Sequence, residues 1–359
     1  MVKNRDQDIS FEIYRNRLSA FYRESPVLKI DNSDKIVIFS DLHLGNGGKN
    51  DDFKKNSALT ETILRDYYNK KKYTLILNGD IEELQKFHLS AIAVRWKNIY
   101  NIFEQFIIHD RFYKIIGNHD YGLLLRKNLP GYENLLNGLV LDYKGDKLFL
   151  FHGHQASQLF EKYNSVVGFF LRYFVSPAGI PNHGVSRDNL KKFKIEQRVY
   201  NFARSEKIIS VIGHTHRPLF ESLSKRDSLR FQLEKILRDY PHLSRLRKPS
   251  AEKEIRLIKN RLMMLPEKER QLPGSFYNKD FVLPVLFNSG CAIGKRGVTC
   301  LEIDDGEIAL IHWFDDARHP DDPVHDREGA EQMDKTPYFR QIIKKEPLSY
   351  IFARVKLLS

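Results

Sequence analysis

The chain has 359 residues, of which 42% are hydrophobic and 29% charged, proportions that suit a folded body and exclude wholesale disorder. No run reaches the ~18 apolar residues that a bilayer span needs, and the opening MVKNRDQDISFEIYRNRL lacks the apolar core of a signal peptide, so a cytoplasmic location is expected. Net charge is +12, from 58 basic against 46 acidic residues, a balance that favours anionic partners.

In chain order, residues 10–22 place Phe11, Tyr14, Leu18 and Phe21 at helical spacing, which predicts an amphipathic lead-in helix packed on the body. Short apolar runs follow at Lys35–Phe39, Tyr73–Leu77, Phe112–Ile116, Leu148–Phe151 and Ile208–Ile212. They read as buried strands, and helical patterns at 54–69 and 91–108 lie between them. That alternation predicts an α/β fold. Residues 155–205 are aromatic and helical in pattern, with Phe160, Tyr163, Val167, Phe170 and Phe174 on one stripe and Leu159, Val166, Phe169 and Tyr173 beside it. So wide a stripe is either core or made to meet something apolar. Residues 221–280 hold 15 basic and 9 acidic residues and read as a polar helical insertion, either a solvated hairpin of mixed charge or an anion-facing surface. Val298–Ile303 and Glu307–Trp313 read as a hairpin closed by Asp304–Gly306. The tail from Pro320 reads as an acidic loop leading to a terminal helix with Leu348, Ile351, Phe352, Val355 and Leu358 on one face. That face is expected to dock on the body or to lie on a membrane surface. The two cysteines, Cys291 and Cys300, lack CxxC spacing and read as reduced thiols.

Five short clusters carry the chemistry: Asp41-Leu42-His43, Gly79-Asp80, Gly117-Asn118-His119-Asp120, His152-Gly153-His154 and Gly213-His214-Thr215-His216. Four of the five directly follow a predicted strand. In α/β sheets ligands gather at the carboxyl ends of strands, so these side chains are expected to converge. Imidazole, carboxylate and amide oxygen are ligands for Zn, Mn and Fe, and neither cysteine joins a cluster, which argues against a structural thiolate site. Seven ligands exceed what one tetrahedral ion accepts. They suit two ions about 3.5–4 Å apart that share a carboxylate. Asp80 is the natural bridge, its two oxygens each reaching one ion.

The order D-x-H, GD, GNH-D, H, GH-x-H, spread over about Ile36 to Trp313, resembles the calcineurin-like metallophosphoesterase superfamily. The resemblance implies a four-layer αββα sandwich of two mixed β-sheets flanked by helices, with helical insertions. It implies Asp41, His43, Asp80 and His216 around one metal, and Asp80, Asn118, His152 and His214 around the other. His152 is preferred to His154, since relatives with this fourth motif use the first histidine. Two divalent ions are implied, Mn first, with Fe or Zn as alternatives. Such ions lower the pKa of bound water to about 7 and withdraw charge from a phosphoryl group. His119, next to Asn118, resembles the histidine that stabilises the transition state and protonates the leaving oxygen. Asp120 is expected either to hydrogen-bond the His119 ring and raise its pKa, or to cap a helix at Tyr121–Arg126.

Asp41-Leu42-His43-Leu44-Gly45 and Asn78-Gly79-Asp80-Ile81-Glu82-Glu83-Leu84 are closest in wording to UDP-diacylglucosamine pyrophosphohydrolase-like bacterial members, which also carry an aromatic helical insertion after the fourth motif. The resemblance departs at His119, at His154 and in the 221–280 insertion. Asn288-Ser289-Gly290-Cys291 resembles a turn that follows the last motif of many bacterial members. The expected partition is an N-terminal helix (1–30), a metallophosphoesterase domain (31–317) with a lid (155–205) and a basic insertion (221–280), and a tail (318–359). The expected substrate is a phosphorylated small molecule or a lipid-linked compound, with peripheral membrane contact. A nuclease or phosphodiesterase acting on nucleic acid is the first alternative. A protein serine/threonine phosphatase is the second, and Ile81-Glu82-Glu83 stands where that class carries an arginine. Arg217, after His216, is read either as a phosphate contact or as an ion-pair residue.

Overall fold

Strands covered on both faces have no polar side to show, so they read as continuous apolar runs. β2 (Ile36–Phe39) is buried at all four positions, and β8 (Ile209–Ile212) likewise. The computed structural model describes residues 2–125, 135–157, 189–223, 225–265, 283–318 and 329–359. Its larger sheet has eight strands in the order β12-β13-β11-β10-β2-β3-β4-β5. These are β3 (Thr74–Asn78), β4 (Phe112–Ile115), β5 (Leu135–Leu136), β10 (Val298–Asp304), β11 (Glu307–Asp315), β12 (Ala330–Gln332) and β13 (Tyr338–Pro347) around β2. β2 to β5 run parallel and the remaining pairings are antiparallel. The smaller sheet has the order β1-β6-β7-β8-β9, with β1 (Val27–Ile30), β6 (Gly138–Tyr143), β7 (Asp146–Phe151) and β9 (Leu286–Asn288). Both sheets are mixed, and the expected α/β architecture holds.

The two-residue side-chain period of a strand divides the core. Ile36, Ile38, Ile76 and Ile115 face Leu139, Leu141, Leu148, Leu150, Ile209 and Val211 of the other sheet. The alternate residues Val37, Phe39, Leu75 and Leu77 face outward, onto residues 57–69 and onto helix α2 (Lys97–Ile107). α2 meets them with Ile99, Ile102, Phe103 and Phe106, an i, i+3, i+4, i+7 stripe. On the far side, Phe149 and Phe151 pack against Leu18 of α1 (Val2–Glu24) and against Ile195, Val199 and Phe202 of a helix at Asn189–Glu206. The result is helix, sheet, sheet, helix. Each fully buried Ile or Phe contributes roughly 1.5–3 kcal/mol, so the layers are held chiefly by these faces.

Two stretches of the tail differ from, or extend, the expectations. The tail is not merely a loop and a helix: Tyr338–Pro347 pairs along the whole of β11 and extends the large sheet. Its pattern YFRQIIKKEP leaves Ile342 and Ile343 about two-fifths exposed, so no apolar run betrays it. The terminal helix Leu348–Leu358 buries Leu348, Ile351, Phe352 and Val355, the first three within the cluster between the sheets. The helix's apolar face is thus taken by the body, except for the partly exposed Leu358. The aromatic stripe from Leu159 to Phe174 lies outside the described residues.

Candidate metal centre

Register brings the motif loops to one edge. Phe39 pairs with Leu77 and Leu77 with Lys114, so β2, β3 and β4 end at one level and release Asp41, Asp80 and Asn118 side by side. In the smaller sheet Leu150 pairs with Val211, which sets His152 beside the His214–His216 loop. The chain turns sharply at these points. Asp41, His43, Asp80, His214 and His216 all have φ between 51° and 62°, a left-handed conformation that costs non-glycine residues of order 1–3 kcal/mol and collects at functional sites. At Gly117 space is the constraint, since a Cβ there would lie 2.1 Å from Asp80 Oδ1.

Both aspartates are anchored by one oxygen and present the other. The His214 N–H donates to Asp41 Oδ2 (3.0 Å) and the His119 N–H to Asp80 Oδ1 (2.8 Å). Asp41 Oδ1 and Asp80 Oδ2 face the pocket. Asp80 therefore does not offer one oxygen to each side, as its position between motifs suggested. Oδ2 alone is shared, lying 3.0 Å from His152 Nε2 and 3.9 Å from His43 Nε2. His152 Nδ1 donates to the Asn78 carbonyl (2.9 Å), which fixes the ring's orientation and turns Nε2 inward. His43 Nδ1 does the same toward Glu83 Oε2 (3.1 Å). His154 instead sets Nε2 against the Tyr121 hydroxyl (3.0 Å).

Among the described residues, three groups of donor atoms gather within 4.8 Å of one another: Asp41, His43 and His216; His43, Asp80 and His119; and Asp80, His152 and His214. The first holds three of the four residues expected around one metal, and the third three of the four expected around the other. Asp80 and His43 each appear twice. Four of the seven expected ligand atoms (Asp41 Oδ1, Asn118 Oδ1, His152 Nε2 and His214 Nε2) are buried without a hydrogen bond. His216 Nε2 approaches Asp41 Oδ1 to 2.9 Å, and His152 Nε2 approaches Asp80 Oδ2, yet neither Asp41 Oδ1 nor His152 Nε2 gains an aligned bond from the approach. Each such orphan costs about 1–3 kcal/mol. His43 Nε2 and His216 Nε2 stand 3.1 Å apart, where two lone pairs repel unless a proton or cation lies between them. Orphaned O and N donors converging in this way fit divalent cations of the Mn, Fe or Zn kind.

The protein's own charges agree. Burial opposes ionisation of Asp41 and Asp80, but His216 and His152 beside the first, and His152 and His119 beside the second, hold both carboxyls far below the usual range. Burial also opposes a charge on His43, yet the Asp41 and Glu83 carboxylates push it up to about 10. His152, likewise buried, is pushed up to about 9 by Asp80 and Asp41. His214 is driven down to about 3 by burial and by His152. Positive charge is thus favoured beside the Asp41 and Asp80 carboxylates, and disfavoured on His214 and His216, where burial dominates.

His119 lies at the rim with its side chain one-fifth exposed, and its Nδ1 meets Glu83 Oε1 at 2.7 Å. Asp120 does not reach that ring, and it does not cap a helix with its carboxylate. The Asp120 oxygens accept the Gly117 N–H (2.5 Å) and the Ile81 N–H (2.9 Å), tying the second and third motif loops together. The carboxylate beside His119 is Glu83, which sequence reasoning missed. Its placement depends on loop pairing: the His43, Leu44 and Glu83 N–H groups donate to the Asp80, Ile81 and Leu44 carbonyls, and this brings Glu83 against His43. Only its spacing of three from Asp80 was visible in the chain.

Other sequence signals are structural. Asn288 Nδ2 donates to the Gly213 carbonyl and to Thr215 Oγ1, both at 2.9 Å, so the Asn288–Cys291 turn braces the fifth motif. Arg217 pairs with the buried Glu196. Cys291 and Cys300 are free thiols.

Aspartate and histidine donors at the ends of strands from two packed sheets make a pocket suited to divalent metal ions. Residues 34–242 match the family model for calcineurin-like phosphoesterase, more than half the chain, and the protein belongs to that family of metal-dependent phosphohydrolases. No curated protein matches it. Among solved structures it is similar to the cold-active protein-tyrosine phosphatase of a psychrophile Shewanella sp., at 13% identity over 79% of this chain and 80% of that one with a TM-score of 0.34. A further structure of a cold-active protein tyrosine phosphatase aligns at 12% identity over 81% and 80%, with the same TM-score. Likeness at these scores carries no argument about chemistry. Among the described residues no helix is long and apolar enough to cross a membrane.

Proposed function

We propose that the protein hydrolyses a phosphoester or pyrophosphate bond with two divalent ions, Mn by preference. Asp41, His43 and His216 would hold one, Asn118, His152 and His214 the other, and Asp80 would serve both. The observation that carries this reading is the pair of donor triads set around one shared pocket, four of whose donor atoms are otherwise unsatisfied. When bound, such ions activate water and neutralise phosphoryl oxygens. His119 stands at the open side and delivers a proton to the leaving oxygen from Nε2, while Glu83 holds its Nδ1. Asp120 supports catalysis through backbone, by fixing the loops that carry Asp80 and Asn118.

For substrate we favour a lipid- or nucleotide-linked phosphate compound, supported by the wording of the first two motifs and by the surplus of basic residues. The protein-phosphatase alternative is disfavoured by Glu82, which is buried against Lys114 at 2.5 Å, and by Glu83, which is committed to two histidines. The deciding experiment is hydrolysis of a phosphomonoester, a phosphodiester, a nucleotide-linked pyrophosphate, a phosphopeptide and single-stranded DNA, each with Mn, Fe or Zn added to chelator-stripped protein. Turnover of the pyrophosphate or diester above the rest supports the proposal. Turnover of none refutes it, and preference for phosphopeptide or DNA moves the protein to an alternative.

A further inference from the structure

Shortly after His216 the chain leaves the sheets as a helical hairpin, Lys225–Asp239 and Lys248–Met263. The two helices close on a small cluster of their own, Leu229, Ile258 and Leu265, with Leu233, Ile236 and Leu262 against it. None of these residues joins the three clusters of the body. Residues 225–265 carry 12 Lys or Arg against 5 Asp or Glu. The surplus of seven is more than half of the chain's net charge, in about a ninth of its length.

The turn between the helices adds a second feature. Arg245-Leu246-Arg247 is exposed throughout, and Leu246 is 94% exposed, a position that no packing requirement of the hairpin explains. Among the described residues Arg245 and Arg247 make no ion pair. Lys248 follows, its ammonium 5.3 Å from the Tyr240 ring. Leu237 and Met263 are also half-exposed or more. A basic surface alone suits any polyanion. A bare leucine between two arginines suits a surface that is anionic outside and apolar just beneath, where the guanidinium groups stay at the headgroups and the leucine enters the acyl boundary. Nucleic acid would favour exposed aromatic platforms for stacking, whereas Tyr240 is engaged by Lys248 and by Glu252.

We propose that this hairpin docks the protein on an anionic lipid bilayer, tip first, through Arg245, Leu246 and Arg247. The inference stands independently of the metal centre. It concerns where the protein works and leaves the bond it breaks to the pocket.

The test is co-sedimentation of the full chain with vesicles of phosphatidylcholine alone and with vesicles of equal parts phosphatidylcholine and phosphatidylglycerol. Binding to the second and not the first is expected, falling as salt is raised from ~0.1 M to ~0.5 M. Each basic residue at such a surface contributes about fivefold in affinity, so Arg245→Glu with Arg247→Glu should weaken binding at least about twentyfold. Leu246→Ser should weaken it severalfold with no change in charge. All three side chains are exposed, so thermal midpoints should stay at the wild-type value. A charge-matched control, Lys71→Glu with Lys72→Glu in the exposed turn before β3, should bind as wild type. No binding to the anionic vesicles, equal loss in the control, or retention by the tip variants would overturn the proposal. So would a random-sequence oligonucleotide that displaces the vesicles and depends on the same three residues, since that outcome assigns the tip to nucleic acid.

Discussion

Replacing Glu83 with Gln isolates the residue that joins the two chemical halves of the pocket. Its Oε2 takes His43 Nδ1 at 3.1 Å and its Oε1 takes His119 Nδ1 at 2.7 Å. Glutamine keeps the shape but has only one acceptor oxygen, and its amide donates, so one ring must face a donor. A hydrogen bond to a charged group is worth about 1.5–3 kcal/mol. If His43 loses the bond, its Nε2 is no longer aimed and metal affinity should fall about 10–100-fold, as for other partners of metal-binding histidines. If His119 loses it, affinity holds and turnover falls. Calorimetric titration of chelator-stripped protein with Mn, followed by hydrolysis of bis-p-nitrophenyl phosphate at saturating Mn, separates the two. Unchanged affinity together with unchanged turnover would refute the reasoning, because the buried carboxylate would then organise neither ring. Glu83→Asp, which retains both oxygens on a shorter stem, should recover part of whichever quantity was lost.

Three further outcomes are expected. His119→Ala should lower turnover by roughly 10²–10⁴ while metal content, read by emission spectrometry, stays as in the parent; undiminished turnover would remove His119 from the mechanism. Lys114→Ala should destabilise the fold by about 3–5 kcal/mol, read from the urea midpoint, because it strands Glu82 in a pair whose side chains are at most 1% exposed. Lys114→Met with Glu82→Gln should recover most of that loss, and equal losses in the two variants would contradict the ion-pair account. Stability of chelator-treated protein should fall on both sides of neutrality. His43, raised to about 10 in the fold from ~6.5 when unfolded, stabilises fully below ~6.5 and ceases to do so as pH rises through about 10. His214, lowered to about 3, works the other way, and its contribution is lost as pH falls from ~6.5 toward 3. A thermal midpoint that is flat from pH ~6.5 to ~10 in the stripped protein, or a His43→Gln variant with an unaltered alkaline limb, would count against these assignments.

Much of the fold and of the pocket was legible because the information is local. A buried parallel strand is an apolar run, and the polar residue that ends it must lie at the strand's carboxyl end. Asp41, Asp80, Asn118 and His214 could therefore be placed from their neighbours alone. Less was legible where position depends on pairing between distant segments. β13 shows no apolar run, and it is a strand because β11 offers it a full ladder. Glu83 is one of three acidic or apolar residues after Asp80. Only the bonds between the first two motif loops turn it, and not Glu82, toward the histidines. Glu82 goes the other way, to Lys114 inside the sheet. Asp120 shows the converse: its place beside His119 in the chain suggested a partnership, but the backbone directs its carboxylate to Gly117 and Ile81.

The sequence by itself determined the metal-ligand set, since residue types suited to binding metal recur at strand ends, and the order of those motifs carried the family resemblance from which the reaction class follows. Tertiary structure decided how those ligands are used. It anchors one oxygen of Asp80, so that Oδ2 alone is shared, and it gives His119 the carboxylate of Glu83 in place of Asp120. It also turns the apolar face of the terminal helix inward and leaves Leu246 outside. The physical reason is the same in each case. Which atoms meet depends on backbone hydrogen bonds and packing between segments far apart in the chain, and no local pattern records them.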